Sequence, residues 1–214
     1  MKTVKYMMKK YSFNIRLWHW LNAIVISGSL LTVLLNSTLF DVRENASYIK
    51  GELQQAGANV SEEQARAVSH SLEDKIWDLH IYFGYVLVVL FLYRILFEFS
   101  GNRSTSFTEK LKETFKLYLT KKISHTRHEL GIKLLYLLFY VVFLIMIITG
   151  LSIAFDNEIG LTASFSNSLK EIHGFCMYII LGFIVLHIGG VFLAERKDKK
   201  GIVSDMINGG KLDE

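Results

Sequence analysis

Four long apolar stretches, separated by charged segments, most narrow what this chain can fold into. Leu17 to Phe40, Leu134 to Phe155 and Ile172 to Ala194 contain no Asp, Glu, Lys or Arg. A helix rises about 1.5 Å per residue and a bilayer core is about 30 Å thick, so about 20 apolar residues cross it. The remaining stretch is interrupted: Leu79 to Tyr93 is uncharged, Arg94 follows, and Ile95 to Phe97 resume the apolar character. An Arg near a helix end can carry its head to the interface while its stem stays in the apolar layer. The expected fold class is therefore all-α, an integral membrane four-helix bundle with spans at about 16–40, 76–99, 131–155 and 170–194. These spans read as a single membrane domain over residues 1–214, with no separate soluble domain.

Charge sets the expected orientation. Of the 24 Lys and Arg, nineteen fall in the N-terminal segment, the middle loop (101–133), the C-terminal tail and Arg94. The other two loops hold Arg43, Lys50, Arg66, Lys75 and Lys170 against eleven acids. The positive-inside rule places both termini and the middle loop in the cytoplasm, with residues 41–75 as an outer loop. The sequence pI near 9.0 then reflects topology and contact with membrane lipid, and nucleic-acid binding is not expected. Cys176 is the single cysteine, which excludes a disulfide framework and a Cys-x-x-Cys-His haem attachment. The first apolar segment carries Trp18, His19 and Trp20 and reads as a retained helix.

Short interfacial helices are expected in the loops. Ser61-x-x-Gln64 is a capping-box pattern followed by Ala65, Val68 and Leu72, which predicts a short outer helix. Phe107, Leu111, Phe115 and Tyr118, interleaved with lysines, predict an amphipathic helix on the inner surface.

Four of the seven histidines sit in spans: His19, His80, His173 and His187. Ionisable residues inside membrane segments are rare and usually functional. His173 and His187 are 14 residues apart on the last span, so about 21 Å apart in depth and within about 40° of the same face. His19 follows Arg16 on a helix entering from the cytoplasm. His80 and His173 each lie two residues after an acid on helices entering from outside. Depth therefore pairs His19 with His187 inside and His80 with His173 outside. Two imidazoles projecting inward from facing helices make a bis-His site for a b-type haem. A lone membrane histidine is as often a packing hydrogen-bonder, but two depth-matched pairs are harder to produce that way. Two histidines alone give too few ligands for a closed zinc site.

Arg16-x-x-His19-Trp20, His80-x-x-x-Gly84-Tyr85, Arg94, Thr149-Gly150, His173 and His187-Ile188 together resemble the bacterial cytochrome b561 and nickel–iron-hydrogenase b-type cytochrome family. The resemblance covers about Arg16 to Glu195. It implies two haem b groups with His19, His80, His173 and His187 as axial ligands, in a protein of the bacterial inner membrane that exchanges electrons with quinone. The outer loop is longer than in the most compact members, which points to a protein partner on that side.

Haem propionates seek Arg or Lys near the interface, so Arg16 and Arg94 are candidates for the inner haem, and Lys75 and Lys170 for the outer one. Positive-inside anchoring explains the arginines equally well. Gly28, Gly84, Gly150, Gly174 and Gly182 allow a macrocycle or another helix to approach closely. Trp18, Trp20 and Trp77 read as aromatic-belt residues. His125 and His128 could relay protons at the inner end of the third span, although a solvated loop is their commoner setting.

The resulting expectation is an electron-transfer subunit of a quinone-linked oxidoreductase, with a periplasmic redox protein (a hydrogenase, reductase or c-type cytochrome) as partner. A homodimer is a further compatible arrangement. A stand-alone enzyme passing electrons from superoxide to quinone is the first alternative, disfavoured by the acidic outer face. A non-redox helical scaffold or haem-handling protein is the second.

Overall fold

The computed structural model describes residues 11–100, 107–121, 124–197 and 201–210, and among them there is no strand. The described residues form eight helices in order: α1 (Phe13–Asn36), α2 (Val42–Gln55), α3 (Glu62–Ser100), α4 (Phe107–Lys121), α5 (Ser124–Ala154), α6 (Asp156–Ile159), α7 (Ala163–Lys197) and α8 (Ile202–Asn208). Four of them, α1, α3, α5 and α7, are long and apolar enough to cross a membrane. Contacts divide the chain into two units, residues 21–90 and the remainder (1–20 and 91–214), and α1 and α3 contribute to both.

In the larger unit, α5 and α7 form the main helix pair, with α4 packed on α5 and α8 on α7. The inward seam of α7 runs Ser166, Leu169, His173, Cys176, Ile180, Phe183 and His187. Its steps of three and four residues keep one helix face against its neighbours. Ser166, Leu169, Cys176 and Ile180 on that seam are buried. Phe139 of α5 stacks on Phe183 of α7 at 4.4 Å. The return between α5 and α7 closes through Gly160 at φ 70°, a left-handed position suited to glycine. The Ser166 hydroxyl donates to Asp156 Oδ2 at 2.6 Å across this turn.

Residues 21–90 have their own logic. The buried positions of α1 are Asn22, Val25, Thr32 and Asn36, so its inward stripe is mostly polar. Ile24, Leu31 and Leu34 on its other faces are exposed. This inversion of the soluble pattern follows from lipid: an exposed apolar side chain is at ease there, and a polar one must find a partner inside. α1 ends at Asn36, four residues before the expected limit of the span. Its last carbonyls are taken by a turn, with Thr38 N–H and Phe40 N–H both donating to Leu35 O. Asp41 then caps α2, its Oδ1 accepting from Arg43 N–H at 3.0 Å and Glu44 N–H at 3.1 Å.

The outer segment departs from expectation. The capping box forms, with Gln64 N–H donating to Ser61 Oγ at 3.2 Å and Ser61 N–H donating to Gln64 Oε1 at 2.9 Å. It does not open a separate short helix. It opens α3, which runs 39 residues without a break into the second span. Nothing between Glu62 and Ser100 can stop a helix, because the segment has no proline and its only glycine is Gly84. The separate helix of this segment is α2, which buries Ala46. Ser69 of α3 is almost wholly buried and donates to Val42 O at 3.3 Å.

On α4 the packed face is Leu111, Thr114 and Tyr118, and Phe115 is exposed. The expected stripe is therefore rotated: Thr114 is buried because Lys133 of α5 donates to its hydroxyl. The side chain of Phe107 lies outside the described residues.

Removing the cap should loosen only the N-terminal end of α3. Ser61→Ala is expected to cost about 1 kcal/mol locally. Hydrogen exchange should quicken over residues 62–66 and stay unchanged near His80.

Candidate functional site

All four span histidines lie within helices. His19 stands in the second turn of α1, and His187 about three turns before the end of α7. Their ring centres are 6.1 Å apart, with planes at 56°. Phe183, one turn before His187, stacks on its ring at 5.8 Å and 7°. Tyr136 of α5 meets His187 edge-on at 6.2 Å, and Trp20 meets His19 edge-on at 5.3 Å. His19 Nδ1 is buried and has no hydrogen-bond partner among the described residues. Burying such a nitrogen costs roughly 1–3 kcal/mol unless something binds it.

This spacing suits a shared metal. Two metal–imidazole bonds of about 2 Å each, with about 1 Å from each nitrogen to its ring centre, put opposed rings about 6 Å apart. Among the described residues, no three His, Cys, Asp or Glu side chains lie close enough to hold an ion, so the unit here is a pair. A pair fits a metal whose other positions come from a macrocycle.

His80 of α3 belongs to the unit 21–90. Its Nδ1 lies 2.9 Å from Thr32 Oγ1 and 3.3 Å from both the hydroxyl and the carbonyl oxygen of Ser29. Trp77 stands edge-on to it at 5.5 Å. Gly28 lets α3 come close: a Cβ there would stand 2.6 Å from Phe83 Cζ. His173 belongs to the larger unit. Its Nδ1 lies 3.0 Å from Thr149 Oγ1 of α5. A Cβ on Gly150 would stand 3.0 Å from His173 Cε1, so the glycine makes room for the ring. Gly84, Gly174 and Gly182 meet nothing within 4 Å and make no such contact.

The arginines are engaged within the protein. Arg94 pairs with Glu98 at 2.9 Å, both side chains being mostly buried, and its guanidinium lies over the rings of Trp18 at 5.8 Å and Tyr140 at 6.0 Å. Arg16 donates through Nη1 to Ile207 O, and its Nε is buried with no hydrogen-bond partner among the described residues. Trp20 Nε1 donates to Met206 O at 3.2 Å, so two side chains of α1 hold α8. Trp18 and Trp20 thus have packing duties besides any at an interface. Lys75 pairs with Asp78 at 3.6 Å on the surface, Lys170 is exposed, and exposed His70 lies 3.5 Å from Glu73 Oε2. The side chains of His125 and His128 lie outside the described residues.

Sequence reasoning missed Ser29, Thr32, Tyr136, Phe183 and Glu98, and it gave Thr149 no task. Phe183 and Glu98 were findable, since each stands four residues from a residue already singled out. Thr32 and Ser29 show only as hydroxyls in an apolar run, a common feature of membrane helices.

Four membrane-crossing helices, three of them carrying half-buried histidines, with His19 and His187 facing each other at metal-sharing distance, fit a helical membrane cytochrome. The sequence model of prokaryotic cytochrome b561 matches residues 10–209. The chain belongs to that family. It is a multi-pass protein of the bacterial inner membrane, a b-type cytochrome that binds haem b and transfers electrons. No curated protein and no solved structure matches the chain.

The Gly150 contact makes a sharp prediction. Gly150→Ala must displace the His173 ring and is expected to lower haem content. Gly131→Ala on the same helix, with open space around it, should leave haem content unchanged. Pyridine haemochrome assays of the two purified variants would decide.

Proposed function

We propose that this chain holds two haem b groups and passes electrons between a periplasmic redox protein and membrane quinone. His19 and His187 ligate the inner haem, and His80 and His173 the outer one. The observation that carries this reading is the 6.1 Å approach of His19 and His187, on helices far apart in sequence. Bis-imidazole haem exchanges single electrons without opening a site for oxygen.

The protein's own part is to fix and enclose the ligands. Phe183, Tyr136 and Trp20 hold the inner imidazoles by their faces and edges. Hydroxyls of Thr32 and Thr149 hold the outer two. Arg94 keeps more donors than its bond to Glu98 uses, and the buried Nε of Arg16 lacks an acceptor among the described residues, so both fit carboxylates such as propionates. Both termini lie in the cytoplasm, and the segment of α2 and the first turns of α3 faces the periplasm, where an electron-exchanging protein docks.

The test is a dithionite-reduced minus oxidised spectrum with a haem count on purified protein. Two b haems per chain are expected, with one lost or perturbed in His80→Ala and one in His187→Ala. Absence of stoichiometric haem, or indifference to both substitutions, would sink this reading. Topology is checked separately: an alkaline phosphatase fusion at residue 58 should be active, and one at residue 105 inactive.

A further inference from the structure

The two hydroxyls beside the outer histidines are not interchangeable with other polar neighbours, because each has its own hydrogen already spent. Thr32 Oγ1 donates to Ser29 O at 2.6 Å, back along its own helix. Thr149 Oγ1 donates to Ile145 O at 2.8 Å, with Met146 O at 3.2 Å. A hydroxyl has one hydrogen and two lone pairs. With the hydrogen committed to the backbone, Thr32 and Thr149 face the imidazoles only as acceptors. At His80 the Ser29 carbonyl, 3.3 Å from Nδ1, can only accept as well, and the Ser29 hydroxyl at the same distance can accept too. These acceptors favour the tautomer with the hydrogen on Nδ1 and the lone pair on Nε2 in both rings. At the inner pair, His19 Nδ1 is instead buried with no hydrogen-bond partner among the described residues.

We infer that Thr32 and Thr149 are positioning residues for haem ligands: each fixes its histidine as the Nδ1–H tautomer, presents Nε2 to iron, and makes that imidazole a stronger donor. An N–H that donates a hydrogen bond leaves more electron density on the ligating nitrogen. A stronger donor favours ferric over ferrous iron, so each hydroxyl lowers the potential of the haem that its histidine ligates. This inference rests on His80 and His173 being haem ligands, as proposed above.

The experiment uses the full chain in detergent, with Thr149→Val, Thr149→Ser, Thr32→Val and Thr32→Ser. Redox titration followed optically would give the potential of each haem, and electron paramagnetic resonance the largest g value of each low-spin signal. Thr149→Val should raise the potential of one haem and shift its signal, leaving the other haem alone. Thr149→Ser should restore both readings. Thr32→Val should likewise raise the potential of the haem that His80 ligates, but less, because either Ser29 oxygen can take over the Nδ1 hydrogen. A valine variant with two haems at native potentials and g values overturns the tether. If Thr149→Val cannot be recovered with haem, Thr32→Val decides by the same criterion. A native chain with fewer than two haems, or His173→Ala retaining both, overturns the underlying reading and not the role of the hydroxyls.

Discussion

Lipid cannot satisfy a polar group, and most of this structure follows from that one constraint. A helix in a bilayer satisfies its own backbone, so only side chains remain to be matched. A polar side chain in a span is then best placed facing inward, with a partner on its own helix, on another helix or on a ligand. This is why α1 buries Asn22, Thr32 and Asn36 while showing leucine and isoleucine outward. It is also why Arg94 sits beside Glu98 and between aromatic rings. The histidines obey the same rule. Hydroxyls answer His80 and His173, and His19 and His187 face each other.

The membrane architecture was legible because it depends on sums over many residues. Twenty apolar positions in a row leave little choice of structure, and single substitutions barely alter the pattern. Segments outside the bilayer rest on fewer residues and were read less well. The capping box at Ser61 and Gln64 was seen, but its helix was expected to be short. Nothing in the sequence separates an outer helix from a span that follows it without a breaker. The face of α4 was misjudged for a different reason. Its buried centre is Thr114, and a lysine from α5 makes that position favourable, which a search for apolar periodicity does not detect.

The candidate site divides the same way. Histidines in apolar helices are rare enough to stand out, and their depths follow from counting. Their supports are ordinary threonines, serines and phenylalanines, which membrane helices contain for many reasons. Only the fold shows that Thr149 and Gly150 act on the same ring, one as acceptor and the other by lacking a side chain. The Thr149-Gly150 pair carried part of the family resemblance, and the structure supplies its physical content.

The uninterrupted run of α3 has a consequence of its own. Charged residues from Glu62 to Asp78 cannot rest in hydrocarbon, so this end of the helix stands in water. At 1.5 Å per residue the stretch before Trp77 is a rod about 20 Å long. A rod is a gauge. For the periplasmic partner proposed above, it would set how near that protein's redox centre can come to His80, and electron tunnelling weakens steeply with distance. A broad, flat protein would be held off at the tip, whereas one with a cleft to receive the rod could approach closely. The outer segment would then admit partners by their contour, before any side chain had been read.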